Sequence, residues 1–376
     1  MITDEFIENY GDLENYLKLF EDSENFTIEP TGPNANIYIK PIEEILKLSE
    51  RDLNKLCNGN RLKKNGLNYI KHCGYIFKGF GEISISVFHP KYSFIDKVEE
   101  WIAEPLKFKI ENKIFEVGPA TPLFVLLNEP IYRDSDWQYE FQNFATVKVI
   151  NTDGTNIKDD IVKALYYLNS HYLKPIGFAA RIYQMEIVDD DPLNLWENDI
   201  YDIFKKVNRV RTRKRDNLLS TEPLILYNQA QSTKGDDKFL HLYRILEFFM
   251  HRAKIRKVNE LRFDPNVSDS LLLKTIELRN EEMQLENLVK ETLSSNQKKK
   301  ISKYAHHKEL IREDDFKYLT KALYKYRNSI VHAKEHQIED TIIPDPFEQN
   351  YAVQPWIYIV DEIVIKCIRK YNTTCG

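Results

Sequence analysis

The chain lacks the features that place a protein in a membrane or outside the cell. None of its 376 residues falls in an apolar run approaching the roughly 18 positions that a membrane span requires. The acidic segment 1–5 has neither the basic nor the apolar region of a signal peptide. The cysteines have no CxxC spacing, so the sequence predicts neither a disulfide framework nor a zinc site. The cysteines are Cys57, Cys73, Cys367 and Cys375. We therefore expect a cytoplasmic protein with reduced, structural cysteines and no membrane, metal or cofactor.

A pattern typical of metal-dependent nucleases is also missing from the N-terminal half. No convincing D-x(n)-E-x-K arrangement occurs there, and the aspartates at 189–191 precede Pro192 as in a solvated turn. His72 and Cys73 lie in a predicted strand without a third partner for nucleophilic catalysis. A catalytic centre is therefore not predicted in this region.

The chain does contain an uneven distribution of charge. Its net charge of −5 divides into +7 for residues 201–376, with 32 basic and 25 acidic side chains, and −12 for residues 1–200, with 21 and 33. This asymmetry fits nucleic acid handled by the C-terminal part, because a polyanion favours a basic surface. Solvated charge on an ordinary two-domain protein explains it nearly as well.

A change of composition at residues 205–216 marks the predicted domain boundary. We predict an α+β fold: a β-rich domain with packed helices at 1–204, a basic linker at 205–235, and an all-α bundle of four or more helices at 236–376. Four arginines of the linker are candidate RNA-binding residues, because each neutralised phosphate releases counterions. They are Arg209, Arg211, Arg213 and Arg215. The alternative is a solvated helix end or linker.

The first domain is predicted to be mainly extended. Apolar residues within the first 30 positions have the spacing of an amphipathic helix, and a turn-rich segment follows at 30–36. Runs typical of strands, separated by glycine and proline, lie at 69–77, 82–88, 106–117, 124–127, 141–150 and 178–188. A helix is predicted from Ile157 to Leu173, with Ile161, Leu165 and Leu168 on one side.

The last third has helical periodicity almost throughout. Four helices are predicted: from Asp236 or Asp237 to about Lys254, from Ser268 to about Leu293, from Asp314 or Asp315, and from Trp356 to Ile368. Apolar residues cover most of the circumference of the first helix, so we expect it to lie centrally. Modest loops between the helices favour an antiparallel bundle.

The third of these helices contains the sequence Arg327-Asn328-Ser329-Ile330-Val331-His332. Spacings of three and four define one buried stripe on it. The stripe consists of Phe316, Leu319, Leu323, Tyr326 and Ile330. At about 100° per residue, Arg327 falls on the shoulder of the stripe, whereas Asn328 and His332 project away from it. His332 is therefore expected to face solvent, a neighbouring domain or a second subunit.

The six residues resemble the R-x(4–6)-H signature of HEPN-domain ribonucleases, including the preferred polar residue after the arginine. Their place on the third helix of a four-helix bundle agrees with that family. Glu247 within an aromatic and aliphatic run, and the segment 334–337 after the motif, are similar to the ApeA-like branch associated with anti-phage defence. The resemblance covers about residues 236–371 and does not reach the first 200.

The resemblance implies a metal-independent endoribonuclease of a prokaryotic anti-phage defence or toxin-like system, with Arg327, His332 and Asn328 as catalytic residues. His332 would accept a proton from the ribose 2′-hydroxyl or donate one to the departing 5′-oxygen. Arg327 would stabilise charge on the scissile phosphate, and Asn328 would orient His332 or bind a phosphate oxygen. The expected products are a 2′,3′-cyclic phosphate and a 5′-hydroxyl.

The resemblance also implies partners. Because acid and base roles use two groups, we expect a homodimer through the C-terminal helical domain, with RNA as substrate. The N-terminal domain would sense a phage-derived or protein trigger, or restrain the nuclease. Lys325 and Lys334 are further candidate RNA-binding residues. Other basic groups that add phosphate contacts in this interpretation are Lys298, Lys299, Lys300, His306, His307 and His336.

A non-catalytic interpretation stands beside this one. The helical domain would then be a HEPN dimerisation module in a nucleic-acid- or protein-binding regulator. An arginine and a histidine near a helix end would in that case satisfy backbone carbonyls.

Overall fold

The computed structural model describes residues 4–21, 23–70, 73–88, 105–110, 113–128, 145–151, 156–174, 179–182, 220–262, 268–269, 280–331 and 353–372. The chain divides into two compact units, Met1–Arg215 and Asp216–Gly376. The first contains antiparallel sheets with packed helices and the second is helical, which confirms the predicted α+β class. None of the described helices is long and apolar enough to cross a membrane.

Short helices at residues 4–18 bury the apolar face predicted for this segment. α1 (Asp4–Asn9) and α2 (Glu14–Lys18) flank a 3-10 turn at Gly11–Leu13. The buried side chains are Phe6, Tyr10, Leu13, Tyr16, Leu17 and Phe20. The helix is interrupted beside Gly11, a residue that weakens helices because it loses the most backbone entropy on ordering.

A three-stranded antiparallel sheet follows α2. Its strands are β1 (Phe26–Thr31), β2 (Asn34–Ile39) and β3 (Glu44–Leu48), in that order. The turn-rich prediction for 30–36 is too broad, because only two residues join β1 to β2 and the first, Gly32, has a φ of +64°. Helix α3 (Glu50–Cys57) begins with a capping box formed by Ser49 and Asp52.

The described part of the second sheet has seven strands in the order β4-β5-β6-β9-β8-β7, with β10 also paired to β6, and every pair is antiparallel. The strands are β4 (Leu67–Ile70), β5 (Gly74–Phe77), β6 (Phe80–Phe88), β7 (Leu106–Ile110), β8 (Lys113–Pro119), β9 (Ala145–Ile150) and β10 (Ala179–Ile182). The predicted runs 69–77 and 106–117 are each divided between two paired strands. Residues 71–72, 111–112, 141–144, 178 and 183–188 of the predicted runs lie outside the described residues.

The run 124–127, predicted as a strand, lies instead in helix α4 (Pro122–Asn128). The hydroxyl of Thr121 accepts a hydrogen bond from the Phe124 amide at 3.1 Å, and Pro122 takes the first helical position. Both are signals for a helix start. An apolar run this short fits either element, and here the residues before it determine the helix.

Helix α5 (Ile157–Tyr167) continues into a π-helical segment at Leu168–Leu173, which confirms the helix predicted between those limits. Ile161, Leu165 and Leu168 are buried as predicted. α5 packs against β9.

The second unit contains α6 (Glu222–Gln231), α7 (Gly235–Arg262), α8 (Glu281–Thr292), α9 (Ser295–His307), α10 (Phe316–Val331) and α11 (Gln354–Tyr371). Helices were predicted at α7, α8, α10 and α11. α7 packs against α6, α8, α10 and α11, so its predicted central position is confirmed. Asn280 caps α8 through the amide of Glu282 at 2.8 Å, and residues 270–279 of the predicted second helix lie outside the described residues.

Part of the segment predicted as a basic linker at 205–235 is helical. α6 packs against α7 and buries Leu224, Tyr227 and Ala230, whose spacing of three places them on one face. Asn372 and the backbone of Ser220 exchange two hydrogen bonds, at 2.6 and 3.0 Å. These bonds tie the residues just before α6 to the end of α11. Residues 205–219 lie outside the described residues.

Candidate functional site

The buried stripe predicted for α10 is confirmed at its centre. The buried residues are Leu319, Thr320, Leu323 and Tyr326, while Phe316 and Ile330 are half-buried. Arg327 leaves the helix at the edge of this stripe, and 17% of its side chain is exposed. It therefore lies against the neighbouring helices instead of extending into solvent.

Tyr326 anchors the C-terminal turns of α10. Its ring stacks on Trp356 of α11 with centroids 5.1 Å apart, and meets Phe239 of α7 edge-on at 4.9 Å. Its hydroxyl donates a hydrogen bond to Asp236 Oδ1 at 3.2 Å. Contacts on two helices therefore set the position from which Arg327, the next residue, projects.

Arg327 makes polar contacts with three helices. Nη2 donates a hydrogen bond to Glu247 Oε1 of α7 at 2.7 Å, and Nη1 donates one to Asn328 Oδ1 of α10 at 3.0 Å. Glu281 Oε2, at the start of α8, lies 4.0 Å from Nη1. The guanidinium also lies over the Tyr243 ring of α7, with Cζ 5.7 Å from the centroid. We call these five residues the arginine cluster.

Tyr243 contributes a hydroxyl that has no hydrogen-bond partner among the described residues, although the residue is only 1% exposed. Burial raises the pKa of Tyr243, and the charge of Arg327 acts against that rise whereas those of Glu247 and Glu281 add to it. The hydroxyl thus lies within electrostatic reach of three charges in the cluster. A buried donor left unpaired costs free energy, so this hydroxyl is a destabilising feature of the cluster.

Arg327 has donors that its contacts within the cluster leave unused. A guanidinium has five N–H donors in a planar fork, and the hydrogen bonds described above use two of them. The side chains of Glu247 and Glu281 are 35% and 49% exposed, so the cluster is open to solvent. The remaining donors of Arg327 therefore lie beside two carboxylates, which would repel an anion.

The structure brings together part of the predicted site. Arg327 and Asn328 are in direct contact, and Lys325 is exposed on α10. Asn328 accepts a hydrogen bond from Arg327, a contact that the sequence interpretation did not include. The other candidates lie outside the described residues, namely His332, Lys334, Arg209, Arg211, Arg213 and Arg215. The outward direction of His332 stays a prediction.

Sequence reasoning missed two members of the cluster. Tyr243 lies four positions before Glu247, so helical spacing places both residues on one face of α7. That spacing is a signal in the sequence for Tyr243. Glu281 has no comparable signal, because its approach to Arg327 depends on how α8 packs against α10.

Comparison of the chain with protein-family models, with curated proteins and with solved structures found no match. Among the described residues, no three or more His, Cys, Asp or Glu side chains are grouped as metal ligands would be. The function is therefore inferred from the residues of this chain and their geometry.

Proposed function

We propose that this chain is an endoribonuclease of a prokaryotic anti-phage defence or toxin-like system, and that residues 236–376 form a HEPN-type domain that cleaves RNA without a metal ion. The proposal is carried by the position of Arg327. Its guanidinium is held at the core edge by Glu247 at 2.7 Å, near the end of the helix that leads to His332 five residues later.

The proposed reaction is an internal transfer of the phosphodiester. The ribose 2′-oxygen forms a bond to phosphorus while the bond from phosphorus to the 5′-oxygen breaks. One imidazole accepts the proton of the 2′-hydroxyl, and an acid returns a proton to the 5′-oxygen. The products are a 2′,3′-cyclic phosphate and a 5′-hydroxyl.

Arg327 has the electrostatic role in this reaction. Charge builds up on the non-bridging phosphate oxygens in the transition state, and a fixed guanidinium stabilises it without reorganising. Glu247 and Asn328 restrict the guanidinium to one orientation through hydrogen bonds of 2.7 and 3.0 Å.

A homodimer through the helical domain completes the proposed site. One motif supplies one histidine, whereas proton removal and proton return use two groups. A second copy of the chain would contribute the second histidine. Sedimentation velocity should therefore show a dimer, and a monodisperse monomer with full ribonuclease activity would contradict this part.

The test compares four proteins on total cellular RNA: wild type, Arg327→Ala, His332→Ala and the control Arg244→Ala. Arg244 is exposed on α7, one residue after Tyr243. Arg244→Ala therefore removes an arginine of the same helical unit without changing any residue of the arginine cluster. Wild type and Arg244→Ala should release fragments with cyclic phosphate ends, also in the presence of EDTA. Each of the other two should lose about 100-fold or more in rate.

Two results would overturn the ribonuclease proposal. One is a wild-type protein that releases no fragments from total RNA, alone or with extracts of phage-infected cells as a source of trigger. The other is equal cleavage by wild type, Arg327→Ala and His332→Ala.

The alternative function, a non-catalytic HEPN dimerisation module in a nucleic-acid- or protein-binding regulator, has one observation in its favour. Arg327 lies between two carboxylates, at 2.7 Å from Glu247 and 4.0 Å from Glu281, and so joins α10 to α7 and α8 as a structural ion pair does. In that case RNA binding should survive His332→Ala. It should weaken when Arg209, Arg211, Arg213 and Arg215 are neutralised together.

A further inference from the structure

Positive charge is concentrated on two adjacent helices of the second unit. α9 has 13 residues and α10 has 16, and neither contains an aspartate or a glutamate. Their cationic residues are Lys298, Lys299, Lys300, Lys303, Lys317, Lys321, Lys325 and Arg327. The two helices pack against each other. This contrasts with the chain as a whole, whose net charge is −5.

Three of these lysines form a row along the outside of α10. Lys317, Lys321 and Lys325 follow each other at steps of four residues, and all three are exposed. At about 100° per residue they fall within an arc of about 80°, opposite the buried stripe, and Asn328 falls in the same arc. This α10 lysine row extends about 12 Å along the helix, and its last residue, Lys325, lies two positions before Arg327 but about 160° from it around the helix axis.

Within α10 no acidic residue compensates the charge of the row. Ordinary solvated helices interleave charges of both signs, and like charges one turn apart destabilise a helix. Acidic residues occur just before α10, at 313–315, where Asp315 Oδ1 accepts a hydrogen bond from the Lys317 amide at 3.0 Å. That carboxylate caps the helix at one end of the row, and the row runs away from it toward Arg327.

We propose that the α10 lysine row binds successive phosphates of one RNA strand and leads that strand to Asn328, which lies in the same arc as the row and contacts Arg327. The inference rests on the proposed function in taking RNA as the polyanion. Lysines one turn apart have Cβ atoms about 5–6 Å from each other, a regular spacing that suits the regular charges of an extended nucleic-acid strand. An anionic membrane fits less well, because a membrane-bound helix inserts its apolar face and that of α10 is buried.

The test measures RNA binding by the full chain, separately from cleavage. The probe is a fluorophore-labelled 2′-O-methyl RNA oligonucleotide, which has no free 2′-hydroxyl to attack the phosphate. Fluorescence anisotropy over a salt series gives the slope of log Kobs against log salt concentration. The test variant is Lys317→Gln/Lys321→Gln/Lys325→Gln. The matched control is Lys47→Gln/Lys55→Gln/Lys63→Gln in the first unit.

Each phosphate contact with a single strand contributes about 0.7 to the slope, so loss of three should reduce it by about 2 and weaken binding about tenfold at low salt. The control variant should have the wild-type slope. Glutamine is nearly as good a helix former as lysine, and unchanged circular dichroism would verify that α10 remains folded.

Outcomes for this inference and for the proposed function are distinguishable. An unchanged slope in the α10 variant overturns the inference, even if Arg327→Ala abolishes cleavage. A reduced slope supports it, even if the wild type cleaves no RNA. Failure of the wild type to bind the oligonucleotide overturns it. So does a variant that loses binding to phosphatidylserine vesicles but keeps its affinity for RNA.

Discussion

Each of the two units holds a polar cluster, and the clusters differ in how fully their polar groups are paired. In the first unit, the carboxylate of Glu82 is fully buried. It accepts hydrogen bonds from the Thr121 amide at 2.9 Å, the Thr146 hydroxyl at 2.8 Å and the Tyr75 hydroxyl at 3.3 Å, and also from the Thr121 hydroxyl. In the arginine cluster, by contrast, the Tyr243 hydroxyl is unpaired among the described residues.

The difference separates a fully hydrogen-bonded carboxylate from a cluster that keeps an unpaired hydroxyl. Glu82 belongs to a cross-strand series in which charges alternate in sign, followed by Lys148, Glu116 and Lys107 on successive neighbouring strands. A shift of one residue in strand pairing would break every pair of the series. The series therefore helps to specify the register of the strands. The arginine cluster keeps N–H donors of Arg327 that the hydrogen bonds to Glu247 and Asn328 do not use, and its carboxylates are partly exposed.

The largest expected effect comes from replacing Arg327 with lysine. Lysine keeps the charge but loses the planar fork that contacts Glu247 and Asn328 at once. We expect RNA cleavage to fall about 100-fold, as when one transition-state donor is removed. Cleavage rates on total RNA measure this, with Arg244→Lys as control. Wild-type activity in Arg327→Lys would mean that a positive charge at this position suffices. The hydrogen bonds of the arginine cluster would then have no role in cleavage.

The next effect breaks the saturated cluster. Glu82→Ala removes the acceptor shared by the Thr121 amide and three hydroxyls, and we expect it to lower the free energy of unfolding of the first unit by about 3 kcal/mol. Urea unfolding followed by near-ultraviolet circular dichroism measures the change. Glu44→Ala is the control, because Glu44 pairs with Lys78 at an exposed position and its loss should cost under about 1 kcal/mol. Similar losses in both variants would contradict the structural role of Glu82.

A smaller effect of opposite sign is expected at Tyr243. Tyr243→Phe removes a buried hydroxyl without a hydrogen-bond partner among the described residues, so it should raise the free energy of unfolding by about 1 kcal/mol. Tyr326→Phe removes the hydrogen bond to Asp236 and should lower it by about the same amount. Thermal unfolding of the free protein compares the two variants. A destabilised Tyr243→Phe would show that the hydroxyl is paired in solution.

The smallest expected effect is a pH dependence of the first unit. Burial alone would raise the pKa of Glu116, but the charges and hydrogen bonds of Lys148 and Lys107 outweigh it and lower that pKa. A carboxyl whose pKa is lower in the folded state stabilises the fold above its unfolded pKa of about 4.3 and loses that contribution as pH falls through the folded value.

Urea unfolding at neutral pH and below about pH 4 tests this expectation. Lys107→Gln should reduce the difference between the two conditions, and only slightly, because the Lys107 side chain is 60% exposed. Lys47→Gln serves as a control at another exposed lysine. A Lys107→Gln variant with the full wild-type pH dependence would show that Lys107 has no measurable effect on the pKa of Glu116.

Local patterns predicted much of the fold because they depend on near neighbours in the chain. The stripe of α10 and the apolar face of α7 follow from helical spacing, and β6 follows from the alternation of Ile83 and Ile85. Errors occurred where two elements share a pattern. The run 124–127 was too short to separate a strand from a helix, and the hairpins at 69–77 and 106–117 were interpreted as single strands.

The sequence by itself determined that Arg327 leaves its helix at the edge of a buried stripe, because that depends only on the rotation per residue. It also determined the α10 lysine row, for the same reason. Only the tertiary structure decided which groups meet Arg327. Glu247, Glu281 and Tyr243 lie 46 to 84 positions earlier in the chain, and their contacts arise from the packing of α7 and α8 against α10. Side-chain periodicity carries no information on contacts at that separation.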